Sequence, residues 1–265
     1  MGTQESNLGT MTNYKRLIAR LDCKGTNVIK GIQLEGLRVI GPVSELARQR
    51  YEEGADELFI LDAVASLYDG SNLAETLREL TKECFIPITV GGGIRSVADA
   101  DKFFRAGADK VAVNSGAILK PELITELATK YGSQAVVVHV EAKKVTGQSE
   151  ISYSCFVDNG RDDSGFRVED WVRQAEGLGA GEILVTSIDR DGTRLGPDSK
   201  LLKLVRESAK IPVIGSSGFA KEAEVVDSFK VLDLDGVSIG SSLHSKKLEF
   251  NEIREACRAQ GVRVR

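Results

Sequence analysis

Histidine is scarce in this chain, which contains only His139 and His244. The four cysteines lie far apart in the sequence, at Cys23, Cys84, Cys155 and Cys257. None of them belongs to a Cys-x-x-Cys pair, so a zinc site has few ligands to draw on. We therefore expect no metal and interpret the cysteines as ordinary reduced thiols.

The sequence also has little net charge and no long apolar run. The 35 Lys and Arg nearly balance the 39 Asp and Glu, and the net charge of -4 gives no electrostatic footprint for nucleic acid or an anionic membrane. No run approaches the roughly 18 to 20 apolar residues of a membrane helix, and the polar residues 1–13 lack the apolar stretch of a secretory signal. We expect a cytoplasmic protein in which residues 1–13 form a disordered or tag-like segment.

The composition is that of a soluble globular protein, with 42% hydrophobic and 28% charged residues. A chain of 265 residues is long enough for two small domains or for one large barrel or sandwich. The order of the apolar segments has to decide between these.

From Arg16 onward, one unit recurs: a short β-branched run, a polar or glycine-rich stretch and a longer segment with helical periodicity. Eight apolar runs are predicted as strands, at residues 17–21, 58–61, 86–90, 110–113, 135–140, 183–185, 211–214 and 236–239. Amphipathic helices are predicted between them, for example at 43–53, 72–84, 96–106, 121–131 and 168–178. Ser96 is the expected N-cap of the third of these helices.

Eight β-α units in about 250 residues are typical of an α/β protein with the TIM (β/α)8 barrel fold. An open doubly wound sheet is the alternative, but it usually carries one glycine-rich fingerprint, whereas glycine and acidic signals recur here at many strand ends. We predict a single barrel domain over residues 14–265.

The second half of the chain repeats features of the first. IPITVGGG at 86–93 is echoed by IPVIGSSG at 211–218, GADEL at 54–58 by GAGEI at 179–183, and LDCK at 21–24 by VEAK at 140–143. Three echoes in the same order indicate a barrel built from two similar (β/α)4 halves.

Two carboxylates occupy equivalent places in the two halves, at the ends of the first and fifth strands. Barrel enzymes carry their chemistry at the C-terminal ends of the strands, so Asp22 and Glu141 are candidates for a general acid and a general base. Alternatively, each caps the next segment or pairs with nearby Lys24 or Lys143.

Small residues end the third, fourth, seventh and eighth strands, at 91–93, 114–115, 216–218 and 240–241. Such residues let backbone N–H groups approach an anion, so we predict one phosphate site in each half and a substrate with a phosphate at each end. Tight turns are the alternative explanation. The polar loop at 189–193 is placed to line the same mouth, or is a simple turn.

Several of these stretches resemble one family. LDCK at 21–24 with Lys30-Gly31, TVGGGI at 89–94, GADKV at 107–111, GSQAVVV at 132–138, GAGEIL at 179–184 and TSIDRDGT at 186–193 are similar to the cyclase subunit of imidazole glycerol phosphate synthase. The similarity runs from about Arg16 to Arg265.

The resemblance implies a carbon-nitrogen lyase and cyclase of histidine biosynthesis. It would use ammonia from a glutaminase partner to convert a bis-phosphorylated ribonucleotide into imidazole glycerol phosphate and an aminoimidazole carboxamide ribotide, without a cofactor. Asp22 and Glu141 match the acid/base pair, and Lys30 a residue of the first loop. The remaining substrate positions are Gly93, Asn114, Ser115, Thr186, Asp191, Gly192, Ser216, Gly218, Gly240 and Ser241. In the family, ammonia enters through a ring of four charges, which matches Arg16, Glu57, Lys110 and Glu182. Alternatively, these residues form surface salt bridges.

Three interior residues depart from the family. Glu141 replaces an aspartate, and a misplacement near 1 Å can cost about 10²-fold in rate. Arg20 and His139 share the faces of Asp22 and Glu141, one layer deeper in the barrel. Because a buried Arg must be paired, we predict that Arg20 contacts Asp22, Glu141 or another interior acid and narrows the ammonia path.

These departures leave three hypotheses open. The first is the cyclase subunit itself. The second is a similar glutaminase-binding barrel from surface-polysaccharide pathways, which conducts ammonia for the amidation of a nucleotide-linked sugar and has weak or no cyclase activity. The third is an inactive barrel scaffold.

Overall fold

Eight parallel strands close into a barrel in the computed structural model, which describes residues 14–65, 73–145 and 151–265. In chain order the strands are β1 (Arg16–Lys24), β2 (Asn27–Ile32), β3 (Glu35–Pro42), β4 (Glu57–Asp62), β5 (Ile88–Gly91), β6 (Lys110–Val113), β7 (Val136–Val145), β8 (Ser152–Val157), β9 (Asp162–Arg167), β10 (Glu182–Ser187), β11 (Val213–Ser216) and β12 (Gly236–Ile239). The barrel order is β1-β4-β5-β6-β7-β10-β11-β12, and β12 pairs with β1. This closure confirms the barrel and excludes the open sheet.

All eight predicted strands are present, with small differences at their ends. β5 and β11 begin two residues later than predicted because Pro87 and Pro212 lack the N–H that a ladder needs. β7 continues to Val145, five residues further than predicted, because its end pairs with β8.

Two hairpins rise from the C-terminal ends of barrel strands, and neither was predicted as strands. The first hairpin, β2–β3, pairs with the end of β1. The second hairpin, β8–β9, pairs with the end of β7, where Phe156 lies opposite Glu141. Both hairpins therefore stand beside the candidate acids.

Helices surround the barrel. They are α1 (Val43–Glu52), α2 (Leu73–Leu80), α3 (Val97–Arg105), α4 (Ser115–Leu119), α5 (Glu122–Tyr131), α6 (Val168–Gly177), α7 (Ser199–Ser208), α8 (Glu222–Lys230), α9 (Ser241–His244) and α10 (Phe250–Ala259). Each predicted helix has a counterpart, although the predicted start at Asn72 and the whole segment 1–13 lie outside the described residues. No helix in the described ranges is long and apolar enough to cross a membrane.

Apolar packing falls into two parts. The larger core lies between the strands and the helices and includes Trp171 and Leu17. A separate cluster fills the barrel interior with Ile18, Phe59, Leu61, Ala112, Val137, Leu184 and Ile214. All four cysteines are buried and free, as predicted.

The backbone repeats itself between the two halves. Gly92 and Gly93 have φ of 106° and 68°, and the matching Ser217 and Gly218 have 87° and 83°. Two aspartates correspond as well, at the starts of the strands. Asp109 accepts from the N–H of Ile88 at 2.8 Å, and Asp235 accepts from that of Val213 at 2.9 Å. The echoed sequences therefore build equivalent turns at the barrel mouth.

Candidate active site

Two clefts open at the C-terminal mouth of the barrel, and each holds one of the candidate acids. The first cleft, of about 510 Å³, is lined by Asp22, Lys30, Asp191, Gly192, Ser216, Gly218, Gly240 and Ser241, among others. The second cleft, of about 530 Å³, is lined by Gly93, Asn114, Ser115, His139, Glu141 and Asn159, among others. The small residues predicted as one phosphate site per half line separate clefts, and each cleft also holds the candidate acid of the other half.

Asp22 is held by Arg20 rather than by Lys24. The Nε of Arg20 donates to both carboxylate oxygens of Asp22, at 2.8 and 3.0 Å. Its Nη1 crosses the barrel interior to donate to Thr186 at 2.6 Å and to Ser216 at 3.2 Å. The predicted contact of Arg20 with Asp22 is confirmed, and Arg20 is almost fully buried.

Glu141 is buried and is held by the backbone of the second hairpin. The N–H of Gly160 donates to its Oε2 at 2.9 Å. Burial raises the pKa of Glu141 to about 7, while Arg20 and the Gly160 hydrogen bond act in the opposite direction. Lys143 lies over the ring of Phe156 instead of pairing with Glu141. Near neutral pH, Glu141 is therefore able to exchange a proton.

His139 and Thr186 extend the polar layer beneath the acids. The Nε2 of His139 lies 2.8 Å from the Thr186 hydroxyl, which also accepts from Arg20. Burial and the Arg20 charge lower the pKa of His139 well below its usual value, so the ring is neutral. A neutral His139 adds no second positive charge next to Arg20.

Asp191 brings a third carboxyl group to the mouth. Burial raises its pKa to about 6, Arg20 lowers it and the Asp22 charge raises it. The hydroxyl of Ser217 donates to Asp191 at 3.2 Å. Three acids thus surround the single Arg20 guanidinium, and not all of them are ionised at neutral pH.

Several buried polar atoms at the mouth have no hydrogen-bond partner among the described residues. They include Ser241 Oγ and His244 Nδ1 beside the first cleft and Asn114 Oδ1 beside the second. Buried polar atoms are normally satisfied, so both clefts present atoms suited to a polar ligand.

Sequence reasoning missed Arg194 and His244, which line the first cleft with Lys30. Burial and the neighbouring Arg194 lower the pKa of Lys30, and burial, Arg50 and Lys30 lower that of His244 to about 4. The sequence could have indicated both residues, because they follow the sixth and eighth barrel strands and the C-terminal end of each strand reaches the mouth.

The four predicted floor charges meet at the opposite end of the barrel. Arg16 donates to Glu57 at 3.1 Å and also bonds Glu182, while Lys110 lies 3.0 Å from Glu182 and 3.5 Å from Glu57. Arg16, Glu57 and Glu182 are buried. Burial works against ionisation of Glu182, but Arg16 and Lys110 lower its pKa overall. These charges form an interior ring and not surface salt bridges.

Fold and mouth together define a (β/α)8-barrel protein with groups for acid/base chemistry between two polar clefts. A family profile described as "Histidine biosynthesis protein" matches residues 16–249. The chain belongs to this family.

Three similar relatives carry the name "Imidazole glycerol phosphate synthase subunit HisF". The relative from Legionella pneumophila is 53% identical over 210 residues, which cover 79% of this chain and 97% of the relative. Those from Streptococcus gordonii and Helicobacter hepaticus are each 40% identical, over 95% and 96% of this chain and 98% and 100% of their own lengths. The resemblance predicted from the sequence is confirmed.

Proposed function

We propose that this chain is the cyclase subunit of imidazole glycerol phosphate synthase. In this role it uses ammonia to convert a bis-phosphorylated ribonucleotide into imidazole glycerol phosphate and an aminoimidazole carboxamide ribotide. The observation that carries the proposal is the pairing of one acid with one polar cleft on each side of a single mouth. A substrate with a phosphate at each end spans this arrangement, with its reacting centre between Asp22 and Glu141.

The two acids have different surroundings, which supports different roles. Asp22 is bonded through both oxygens to the Arg20 guanidinium, which holds the carboxylate in one orientation at the mouth. Glu141 has a pKa of about 7 and is partly protonated at neutral pH, so it is suited to donate one. We assign Asp22 as the general base and Glu141 as the general acid.

The phosphates would be held by backbone N–H groups, hydroxyls and Lys30 rather than by the net charge of the chain. One phosphate fits the first cleft, with Lys30, Asp191, Gly192, Gly218, Gly240 and Ser241 around it and Thr186 and Ser216 deeper in the barrel. The other fits the second cleft, with Gly93, Asn114 and Ser115.

Ammonia would enter from the other end of the barrel. The relatives are named as subunits, and we place a glutaminase at the N-terminal face, against the ring of Arg16, Glu57, Lys110 and Glu182. Beyond the ring lies the apolar interior cluster and then Arg20. We propose that Arg20 narrows this route.

The rival barrel that only conducts ammonia is not favoured, since the relatives named above carry the synthase subunit name. The test is turnover of the bis-phosphorylated substrate with ammonium salt at high pH. We expect the wild type to turn over and Asp22→Asn to lose at least about 10²-fold in kcat. Glu141→Asp keeps the carboxyl group but shortens the side chain by one methylene, so it tests whether the length of the side chain limits turnover. If neither the wild type nor Glu141→Asp turns over while the protein still stimulates a glutaminase, the cyclase proposal is wrong.

A further inference from the structure

The tip of the second hairpin, residues 158–160, reaches back over the barrel mouth. Asp158, Asn159 and Gly160 all have positive φ, at 52°, 60° and 75°. Asp and Asn adopt this conformation more readily than most residues, and glycine does so without cost. The left-handed run turns the backbone N–H groups of the tip toward the mouth.

Contacts on two sides hold the tip in place. The N–H of Asp158 donates to the Ser115 hydroxyl at 3.0 Å, next to the end of β6. The side chain of Asn159 donates to the carbonyl of Leu34, at the turn of the first hairpin, at 3.4 Å. The tip is therefore fixed by groups that do not involve Glu141.

A side chain at Gly160 would be strained by the positive φ and would crowd two neighbouring side chains. A Cβ there would lie 2.8 Å from Cδ1 of Leu34 and 3.1 Å from Cδ1 of Ile188. This close packing brings the Gly160 N–H to 2.9 Å from Oε2 of Glu141. Among the hydrogen bonds of the described residues, this is the bond that holds the Glu141 carboxyl.

We propose that the backbone amide of Gly160 is a positioning group for Glu141: it fixes the orientation of the carboxyl group and stabilises its ionised form. Glutamate has one more rotatable bond than aspartate, so an acid of this length needs an additional contact to keep one geometry. A charge-assisted hydrogen bond from a fixed N–H supplies it. The catalytic meaning of this contact rests on the proposed function, whereas the contact and its effect on ionisation do not.

Other charges face Glu141 and must stay constant in a test. Arg20 and Asp22 reach it from β1, and Asp191 from the loop after β10. His139 lies on the same strand and is neutral. A useful variant therefore alters the Gly160 amide and leaves these four residues intact.

The experiment is a carboxyl ¹³C NMR titration of Glu141, with the resonance assigned by its loss in Glu141→Gln. We expect Gly160→Ala to raise the pKa of Glu141 by about one unit, because the N–H that favours the ionised form is displaced. Gly165→Ala is the matched control: Gly165 lies on the same hairpin with φ of 77°, and a Cβ there meets no atom within 4 Å. Gly165→Ala should leave the pKa of Glu141 unchanged.

Two further variants separate the amide from the added methyl group. Glycolate in place of Gly160 exchanges the N–H for an ester oxygen without adding a Cβ, and should raise the pKa as Gly160→Ala does. Adding Leu34→Ala to Gly160→Ala removes the 2.8 Å contact and should return the pKa toward the wild-type value. An unchanged pKa in the glycolate protein overturns the proposal, as does an equal rise in Gly165→Ala.

The titration requires no turnover, so its result is independent of the proposed function. In an active cyclase, the pKa that Glu141 contributes to the pH profile of kcat/KM should rise by the same amount in Gly160→Ala. A shift in the titration without any cyclase activity would refute the proposed function and leave the positioning role intact.

Discussion

Arg20 is the residue on which the polar interior of the barrel depends. Its guanidinium bonds Asp22, Thr186 and Ser216, and it also lies within 5.9 Å of the centre of the Phe59 ring. A buried arginine is stable only when its charge is paired. Asp22 supplies that pairing, so the same contact stabilises the fold and orients a candidate catalytic group.

Replacing Arg20 by methionine keeps an unbranched side chain and removes its charge. We expect Arg20→Met to lower the free energy of unfolding by about 3 kcal/mol, because Asp22 loses its partner in a largely buried pair. Urea unfolding at neutral pH measures the change. Lys82→Met breaks an exposed pair with Glu79 and should cost less than about 1 kcal/mol. Equal losses in the two variants would contradict the structural role of Arg20.

Glu141 should make the stability of the protein depend on pH. Burial raises its pKa from 4.5 to about 7, so the folded chain binds this proton more tightly than the unfolded chain does. The resulting stabilisation is fully present below about pH 4.5 and is lost as pH rises through about 7. Relative to Glu141→Gln, the wild type should lose about 3 kcal/mol of unfolding free energy across that interval.

Urea unfolding of the wild type and Glu141→Gln at several pH values between about 4.5 and 8 tests this prediction. Asp191 titrates in both proteins, so its contribution largely cancels in the difference. Glu79→Gln, which changes an exposed carboxylate, is the control. A difference between wild type and Glu141→Gln that stays constant with pH would be inconsistent with a raised pKa.

At the scale of elements, local sequence signals and long-range contacts both fix where helices begin. Ser96 was predicted as an N-cap and accepts the N–H of Asp99 at 3.2 Å. Asp198 caps α7 by accepting from Leu201 and also accepts from the Tyr153 hydroxyl at 2.9 Å. The first cap is local, while the second also ties α7 to β8.

Ser96→Ala should lower the free energy of unfolding by about 1 kcal/mol, since one N–H of the first turn of α3 loses its acceptor. Thermal or urea unfolding measures the loss. Ser199 is also a serine at the start of a helix, but Asp198 provides the cap there, and Ser199→Ala should change stability by less than about 0.5 kcal/mol. A similar loss in both variants would show that the Ser96 contact has no special value.

The whole molecule is ordered in layers along the barrel axis. The charged ring lies at one end, the apolar interior cluster follows, and Arg20 and the acids lie at the other end. The two functions in the proposal, entry of ammonia and cyclisation, are thereby assigned to opposite ends. A change in the ring should disturb one of them and spare the other.

Glu182→Gln tests this separation. It removes the charge that Arg16 and Lys110 share, so the ring loses its arrangement. With a glutaminase partner, turnover supported by glutamine should fall about 10-fold or more, whereas turnover with ammonium salt should stay near the wild-type rate. An equal fall in both activities would mean that the ring only supports the fold.

Local patterns predicted much of this structure. The eight strands, the closed barrel, the repeated halves and the placement of Asp22 and Glu141 at strand ends follow from short stretches of sequence, because periodicity and turn residues act locally. The two hairpins were not predicted as strands, since they lie in segments that the β-α pattern assigns to loops.

The partners of the site residues were decided only by the tertiary structure. Sequence reasoning required an acid for Arg20 and left three choices open, and the fold selected Asp22 and added Thr186, which is 166 residues away. Gly160 carries no chemical signal in the sequence, yet its amide holds Glu141. The sequence by itself determined which groups reach the mouth. The tertiary structure decided most of the contacts between them, because barrel closure and the two hairpins set the distances between groups that are remote in the chain.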